Sequence, residues 1–471
     1  MNLAEKGSQV VRNKRHITPP QTLTLSFATL ILGGALLLNL PIASVSGESI
    51  GFLDALFTAT SAVCVTGLIV VNTLAHWTMF GKVVILILIQ LGGLGVMTCL
   101  TLAMVVLRRK VSLKDRMVIQ AAFNQSGIGG MVKLVKKIVC FTLIIEAVGA
   151  VVLAIAFYFS TEITVLEAVG KGIFHSISAF CNAGFDIIGE ESLTPFATNI
   201  GVIGPIMLLI VLGGIGFTVL GECRDSLRGR RNRSFKKKIQ HLSLHTKIAL
   251  AMTAGLLISG TILFMMLEWT NPKTLQTMNF GEKIMAAAFQ SVTLRTCGFN
   301  TINQGGLTEA SQFISCIYMF IGGSPAGTAG GIKTVTFGVI LFSMISVFRG
   351  RDCVEAFGRT LPLDLLQKAL AVFGGMLFVV IGSTLVLCFT EQDCAFQHSF
   401  LDLLFESASA AGTVGITTGI TPFLSSAGKI VIIICMFLGR LSPVTVVVAL
   451  NMRLNATDNS RKYIEERVIV G

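Results

Sequence analysis

"TATSAVCVTGL", residues Thr58–Leu68, is polar at its start and turns on a glycine near its end, yet it lies between two apolar runs, Leu23–Ile42 and Val83–Leu107. Each run has about the 20 residues a helix needs to cross a bilayer. Irregular backbone at that depth is tolerated only where protein buries it or water fills a cavity. The stretch has three relatives in the chain. Aligned on a Phe and a Gly, "FTATSAVCVTG" (Phe57–Gly67) matches "FHSISAFCNAG" (Phe174–Gly184), "FQSVTLRTCG" (Phe289–Gly298) and "FESASAAGTVG" (Phe405–Gly415), with Phe-to-Gly intervals of 10, 10, 9 and 10 residues. An apolar residue follows each glycine: Leu68, Phe185, Phe299 and Ile416. Self-similarity in phase marks a repeated architecture.

Composition places the repeats in a membrane. The 471 residues are 53% hydrophobic and 13% charged, with a mean hydropathy of +0.78, outside the range of water-soluble domains. No Ala-x-Ala-like cleavage site follows the first run, so it reads as a retained span. The net charge of +12 is not spread as nucleic-acid binding would need, because 29 of the 37 Lys and Arg fall in five places: the N-terminus, Arg108–Lys137, Arg224–Lys247, Arg349–Lys368 and Arg453 onward. The positive-inside rule assigns all five to the cytoplasm. The run "RGRRNRSFKKK", Arg228–Lys238, then reads as a topology determinant that touches anionic lipid. Eleven cysteines without C-x-x-C spacing read as small buried hydrophobes.

Four blocks between basic segments must each cross an even number of times. The remaining long runs are Ile138–Phe159 and Ile200–Leu220, Ile248–Leu267 and Phe313–Phe348, Leu365–Thr390 and Ile430–Asn451. The expected fold is an all-α integral membrane protein of eight spanning segments, four span, pore-loop, span pseudo-repeats around a central pore, with both termini cytoplasmic. Its divisions are a cytoplasmic N-terminus (1–22), repeat 1 (23–107), a loop with the start of repeat 2 (108–137), repeat 2 (138–221), a basic loop (222–247), repeat 3 (248–348), a loop (349–364), repeat 4 (365–452) and a cytoplasmic tail (453–471).

The second run of each block carries another shared mark: "GGLGVMT" from Gly92, "GGIGFTVLGE" from Gly213, "GGSPAGTAGGIK" from Gly322 and "LGRLSPVT" from Leu438. In the third block it is glycine-rich and holds a proline, a composition that no continuous helix accommodates cheaply. Residues 322–333 therefore read either as a kinked helix or, given their length, as a mobile loop lining the pathway, with Gly322, Gly323, Ser324, Pro325, Gly327, Thr328, Gly330 and Gly331 as its body and Lys333 closing it. Arg440, in the middle of the last run, is a charge of the kind that is costly in a membrane and usually functional.

The chemistry points to a monovalent cation. An acid near the start of three short pieces (Asp54, Glu282, Asp402, with Glu167 somewhat earlier in the other) marks the N-terminus of a pore helix. The opposite, partly negative end of such a helix favours a cation. The glycine then permits a backbone that aims carbonyls inward, where they replace a hydration shell. The expected ligands are the main-chain oxygens of Val65, Thr66 and Gly67; Asn182, Ala183 and Gly184; Thr296, Cys297 and Gly298; Thr413, Val414 and Gly415. No carboxylate recurs at this position.

These loops resemble those of the Trk/Ktr/HKT superfamily of potassium transporters, and the likeness covers nearly the whole chain. "TATSAVCVTGL", "SISAFCNAGF", "RTCGFNT" and "GTVGITTG" carry it together. Only some 20 residues precede the first span, as in the membrane subunits of Ktr systems. The resemblance implies potassium uptake across the plasma membrane, potassium at the filter carbonyls, no cofactor in this chain, sodium as an activator, a homodimer, and a cytosolic nucleotide-binding RCK (KTN) ring. It also implies potassium selectivity from four filter glycines, a gate in residues 322–333, and an Arg440 that projects below the filter against that loop. "CNA" and "TCG" depart from the Thr-Val-Gly of channels, which leaves a less selective sodium/potassium channel as an alternative. A secondary transporter of another small solute is a second rival, and a sensor or scaffold without flux a third. Glu146 reads as a relay or an interhelical hydrogen bond, Arg295 as packed outward against carbonyls or an acid, and His175 and Glu406 as pore-helix hydrogen-bonding groups. Nothing resembles a nucleophile with its base, so no enzyme is expected.

Overall fold

The computed structural model describes residues 18–106, 116–118, 130–189, 191–228, 242–392, 398–443 and 445–447. Most of the N-terminal segment 1–22, the basic run beyond Arg228 and the tail 453–471, where lipid and partner contacts are expected, lie outside the described residues.

Among the described residues, fifteen principal helices follow one another in a recurring order. A long helix, a short helix and a broken helix appear first as α1 (Pro19–Leu38), α2 (Phe52–Cys64) and α3 with α4 (Met79–Leu94, Val96–Val106). The order returns as α5 (Met131–Ser160), α6 (Val165–Cys181) and α7 with α8 (Ile200–Gly214, Phe217–Arg228). Next come α9 (Leu244–Glu268), α10 (Phe280–Thr293) and α11 with α12 (Glu309–Phe320, Thr334–Phe348), and finally α13 (Leu363–Thr390), α14 (Phe400–Gly412) and α15 (Ser426–Leu441). A hairpin of Glu355–Ala356 and Arg359–Thr360 joins α12 to α13.

Among the described residues, four helices are long and apolar enough to cross a membrane, Pro19–Leu38, Val132–Ser160, Leu244–Glu268 and Leu363–Thr390, or five if the bent pair Ile200–Gly214 and Phe217–Ser226 is one span. Leu36, Ile144, Ile258 and Phe378 are exposed on them, an apolar surface that suits lipid rather than water.

The second runs differ from expectation, because every one of them breaks, not the third alone. The breaks fall at Gly95 (φ 84°), at Gly216 (φ 93°), over residues 321–333, and at Ser442 (φ 69°). The second is sharp: Ile200–Gly214 and Phe217–Ser226 are bent by 100°. A residue with positive φ cannot continue a right-handed helix, and one such residue in an apolar run leaves no periodic trace.

The glycines of the shared mark have a packing role. A β-carbon at Gly92 would overlap the Val63 carbonyl oxygen, one at Gly213 that of Phe180, and one at Gly439 that of Ala411. The first, second and fourth broken helices thus lie directly against the last turn of the short helix of their own repeat, whereas Gly322 in the third lies against Gly330 of its own segment. The broken helices also reach forward in chain order: α3 packs on α6, α7 on α10, α11 on α14, and α15 returns to α2, so the contacts close on themselves. Another tie joins the end of each long helix, or the residues just after it, to the start of the broken one. Thr78, Asn199, Thr308 and Ser425 are the N-caps of α3, α7, α11 and α15. Their side chains bond the Ile42 carbonyl (2.8 Å), Ser160 Oγ (2.7 Å), Glu268 Oε1 (2.8 Å) and Glu391 Oε1 (2.6 Å).

Of the described cysteines, Cys64, Cys181, Cys297, Cys316 and Cys435 are buried, whereas Cys140 and Cys353 are exposed, against the expectation for those two.

Candidate ion pathway

The four short helices begin alike. Asp54, Glu167, Glu282 and Asp402 all occupy the third helical position. Capping boxes pair Thr164 with Glu167, Asn279 with Glu282, and Ser399 with Asp402, each satisfying backbone donors that a helix start leaves open. Glu167 looks early in sequence only because α6 has 17 residues against 13 or 14 in the others. Asp54 instead pairs with Lys429 of α15 at 2.7 Å.

A common turn follows each helix. Val65, Asn182, Thr296 and Thr413 have φ of 58°, 60°, 71° and 51°, and two residues on Gly67, Gly184, Gly298 and Gly415 have φ of 94°, 70°, 93° and 90°. Left-handed backbone at β-branched Val and Thr costs about 1–3 kcal/mol each and persists only where the surroundings impose it. The four glycines converge. A β-carbon at Gly67 would sit 2.5 Å from the Ala183 oxygen, one at Gly184 would overlap the Cys297 oxygen, one at Gly298 would sit 2.7 Å from the Val414 oxygen, and one at Gly415 would overlap the Thr66 oxygen. Each loop therefore abuts the next in the order 1, 2, 3, 4 and back to 1. The hydroxyls of Thr66, Thr296 and Thr413 are buried there without a protein partner.

Two sets of braces hold the turns, and the first was not anticipated. A hydroxyl six residues before each glycine, five in the third loop, reaches the loop backbone. Gly67 N donates to Ser61 Oγ (3.0 Å) and Gly415 N to Ser409 Oγ (3.1 Å), while Ser178 donates to the Phe185 carbonyl and Thr293 to the Phe299 carbonyl, both at 2.7 Å. The fixed offset of Ser or Thr from the glycine was the available signal. In the second set, His175 Nε2 accepts from Ile187 N (3.4 Å), Gln290 pairs with Gln304 (2.7 Å), and Thr421 donates to Glu406 (2.5 Å). His175 and Glu406 are thus hydrogen-bonding groups. Ser409→Ala leaves the buried Gly415 N–H without an acceptor, at about 1–3 kcal/mol. We expect a lower melting temperature for the detergent-solubilised variant than for Ser409→Thr, read by a thermal melt of both.

The segment between α11 and α12 closes on itself. Gly322 N donates to the Ile332 carbonyl (2.8 Å), Thr334 N to that of Gly323 (2.9 Å), and the Ser324 and Thr334 hydroxyls meet at 2.9 Å. It rests on the α7–α8 break through Ser324 N to Gly214 O and Phe217 N to Ala326 O, both 2.8 Å. A β-carbon at Gly330 would overlap the Thr413 hydroxyl, and one at Gly331 would stand 3.2 Å from the Gly412 oxygen, so the segment lies against the fourth loop. Lys333 turns back to the Ala329 carbonyl (2.6 Å). Arg440 donates to the Thr328 carbonyl, to that of Gly92 (2.6 Å) and to that of Gly93 (3.4 Å). A cavity of about 530 Å³ opens beside them, lined in part by Gly95, Pro325, Gly327, Lys333 and Arg440.

Two other charges lie apart from this arrangement. Glu146 accepts from Gln90 of α3 (3.2 Å to each oxygen), an interhelical bond. Arg295 is buried and reaches the Thr253 hydroxyl of α9 at 3.4 Å, a hydroxyl rather than the carbonyl or acid expected.

Residues 11–462 match the family model TrkH, described as a cation transport protein. The chain is 40% identical to the potassium/sodium uptake protein NtpJ of Enterococcus hirae, over 98% of this chain and 99% of that one. It is 42% identical to the Ktr system potassium uptake protein B of Bacillus subtilis, over 91% of this chain and 92% of the other. In fold it is similar to the crystal structure of the potassium transporter TrkH from Vibrio parahaemolyticus, with a TM-score of 0.71 at 17% identity, covering 95% of this chain and 86% of that one. The chain belongs to the TrkH family of cation transport proteins.

Proposed function

We propose that this chain carries potassium into the cell through the ring of four loops. The observation that carries the reading is the closed succession of Gly67, Gly184, Gly298 and Gly415, each with positive φ and each against the carbonyl that precedes the next. Main-chain oxygens of Val65, Thr66 and Gly67, and of their counterparts through Gly415, coordinate a dehydrated cation. The orphaned hydroxyls of Thr66, Thr296 and Thr413 offer further oxygens in the same place. Eight crossings in four pseudo-repeats, with both termini cytoplasmic, surround the pathway. The membrane potential drives entry at about 2.3 kcal/mol per charge per 100 mV.

Residues 322–333 form the gate, and Arg440 holds it closed while placing a positive charge in the cation's path. Two relatives are named for potassium uptake, one of them as part of a Ktr system. By extension this subunit pairs as a homodimer with a cytosolic nucleotide-binding ring acting on the ends of the broken helices. The name of NtpJ also includes sodium, and the unequal loop sequences favour a second reading in which sodium is an activator or a minor permeant ion. Growth of a potassium-uptake-deficient cell at low external potassium tests the proposal, with the regulatory partner co-expressed. We expect rescue; its absence in a cell whose membrane contains the protein would overturn the potassium reading.

A further inference from the structure

Thr328 is fully buried and engaged on two sides. Its carbonyl accepts from Arg440. Its hydroxyl lies 3.1 Å from the Phe180 carbonyl and 3.2 Å from the Asn182 side-chain amide. Asn182 is the left-handed residue of the second loop, two positions before Gly184. With its amide turned so that nitrogen faces the surrounding acceptors, Asn182 donates to the Thr328 hydroxyl (3.2 Å), the Phe180 carbonyl (3.2 Å) and the Ile210 carbonyl (3.3 Å).

The other three loops lack this connection. Val65, Thr296 and Thr413 stand at the equivalent place, and neither threonine hydroxyl has a partner. The 322–333 segment meets Thr413 only by close contact at Gly330. Among the described residues, the second loop is therefore the one whose side chain is hydrogen-bonded to the segment below it. Left-handed backbone stays in place only where its surroundings over-determine it, although Asn tolerates that region better than most residues. Withdrawing the segment removes Thr328 from both Asn182 and Phe180.

We propose that Thr328 is a positioning residue that latches the gate segment to the filter through Asn182, so that opening the pathway also loosens the second loop and lowers its discrimination among cations. The proposal rests on the filter and gate reading above. It goes further by making selectivity depend on the state of the gate.

The test measures initial potassium and sodium uptake, at matched protein in the membrane, for Thr328→Val, Thr328→Ser, Asn182→Ala and the double variant Asn182→Ala/Thr328→Val. Valine removes the hydroxyl but keeps the carbonyl that Arg440 uses. We expect Thr328→Val to raise uptake and lower the potassium-to-sodium ratio about threefold, the scale of one hydrogen bond. Serine should restore both. Asn182→Ala should raise uptake as well as lower the ratio, and the double variant should add nothing further. Gly67→Ser, a direct lesion of the filter, is measured beside them. If it lowers the ratio while Thr328→Val leaves the ratio unchanged, or while the single effects multiply in the double variant, the latch is overturned and the filter reading stands. Asn182→Ala that lowers the ratio without raising uptake overturns the latch equally. If Gly67→Ser leaves the ratio unmoved, the filter reading fails and the latch with it.

Discussion

Arg440→Ala is expected to raise the initial rate of potassium uptake about tenfold or more at limiting external potassium. The guanidinium bonds the Thr328 carbonyl of the 322–333 segment and the Gly92 and Gly93 carbonyls of α3, so one side chain joins two elements that part under the proposed gating. Hydrogen bonds from a charged donor contribute about 1.5–3 kcal/mol each. Losing two at the low end shifts the gate equilibrium by about 3 kcal/mol, or about 100-fold. The rate gain is smaller wherever the open population saturates. Removing the charge acts in the same direction, since a cation no longer passes a fixed positive group. Arg440→Lys separates the two effects: it keeps the charge but loses the planar fork, and should fall between wild type and alanine. Deletions within Gly322–Gly331 should also raise the rate. An unchanged rate in both the alanine variant and the deletions, at matched protein, would remove residues 322–333 and Arg440 from the gating account.

Gly415→Ala should have the opposite effect and reduce uptake about 100-fold or more. Its φ of 90° imposes about 1–3 kcal/mol on any residue with a β-carbon. The larger penalty is spatial: that carbon would overlap the Thr66 oxygen and crowd Gly67 Cα at 2.8 Å. Both are backbone atoms of another loop, with no flexible side chain to move aside, so the fourth and first loops must part. Gly419→Ala is the comparison, because Gly419 has a φ of 107° but open space around it. It carries the strain without the collision and should retain most uptake. Equal loss in both variants would show that strain, not closure of the ring, sets the effect. Gly67 is less crowded, at 2.5 Å from the Ala183 oxygen, so Gly67→Ser should alter selectivity before it abolishes flux.

Much of this arrangement was legible in the sequence. The Phe-to-Gly alignment located all four turns, because positive φ selects glycine and a chain that needs the same turn four times repeats the residue. The third interruption was visible because it is long and glycine-rich. The breaks at Gly95, Gly216 and Ser442 were not, since single residues in apolar runs give no periodic signal. Glu167 marks its helix start although it stands further from its glycine than the other three acids, because helix register, not distance to the glycine, fixes where an N-terminal acid lies. The resemblance set Arg440 against residues 322–333, but its individual partners left no signal in residue type because it bonds main-chain carbonyls, which every residue possesses. For the same reason the contact between Thr328 and Phe180 has no signature in residue type.

The four N-cap ties lie at one end of the broken helices and the four breaks further along them. Thr78, Asn199, Thr308 and Ser425 tie one rim of the bundle, while the backbone leaves the helical region at Gly95, Gly216, Gly331 and Ser442, beyond those ties. Under the proposed gating, movement past those turns leaves the tied rim in place. On that proposal, ion capture and ion release answer to separate parts of the molecule, and the proposed regulator, by holding the far ends, sets the second without disturbing the first.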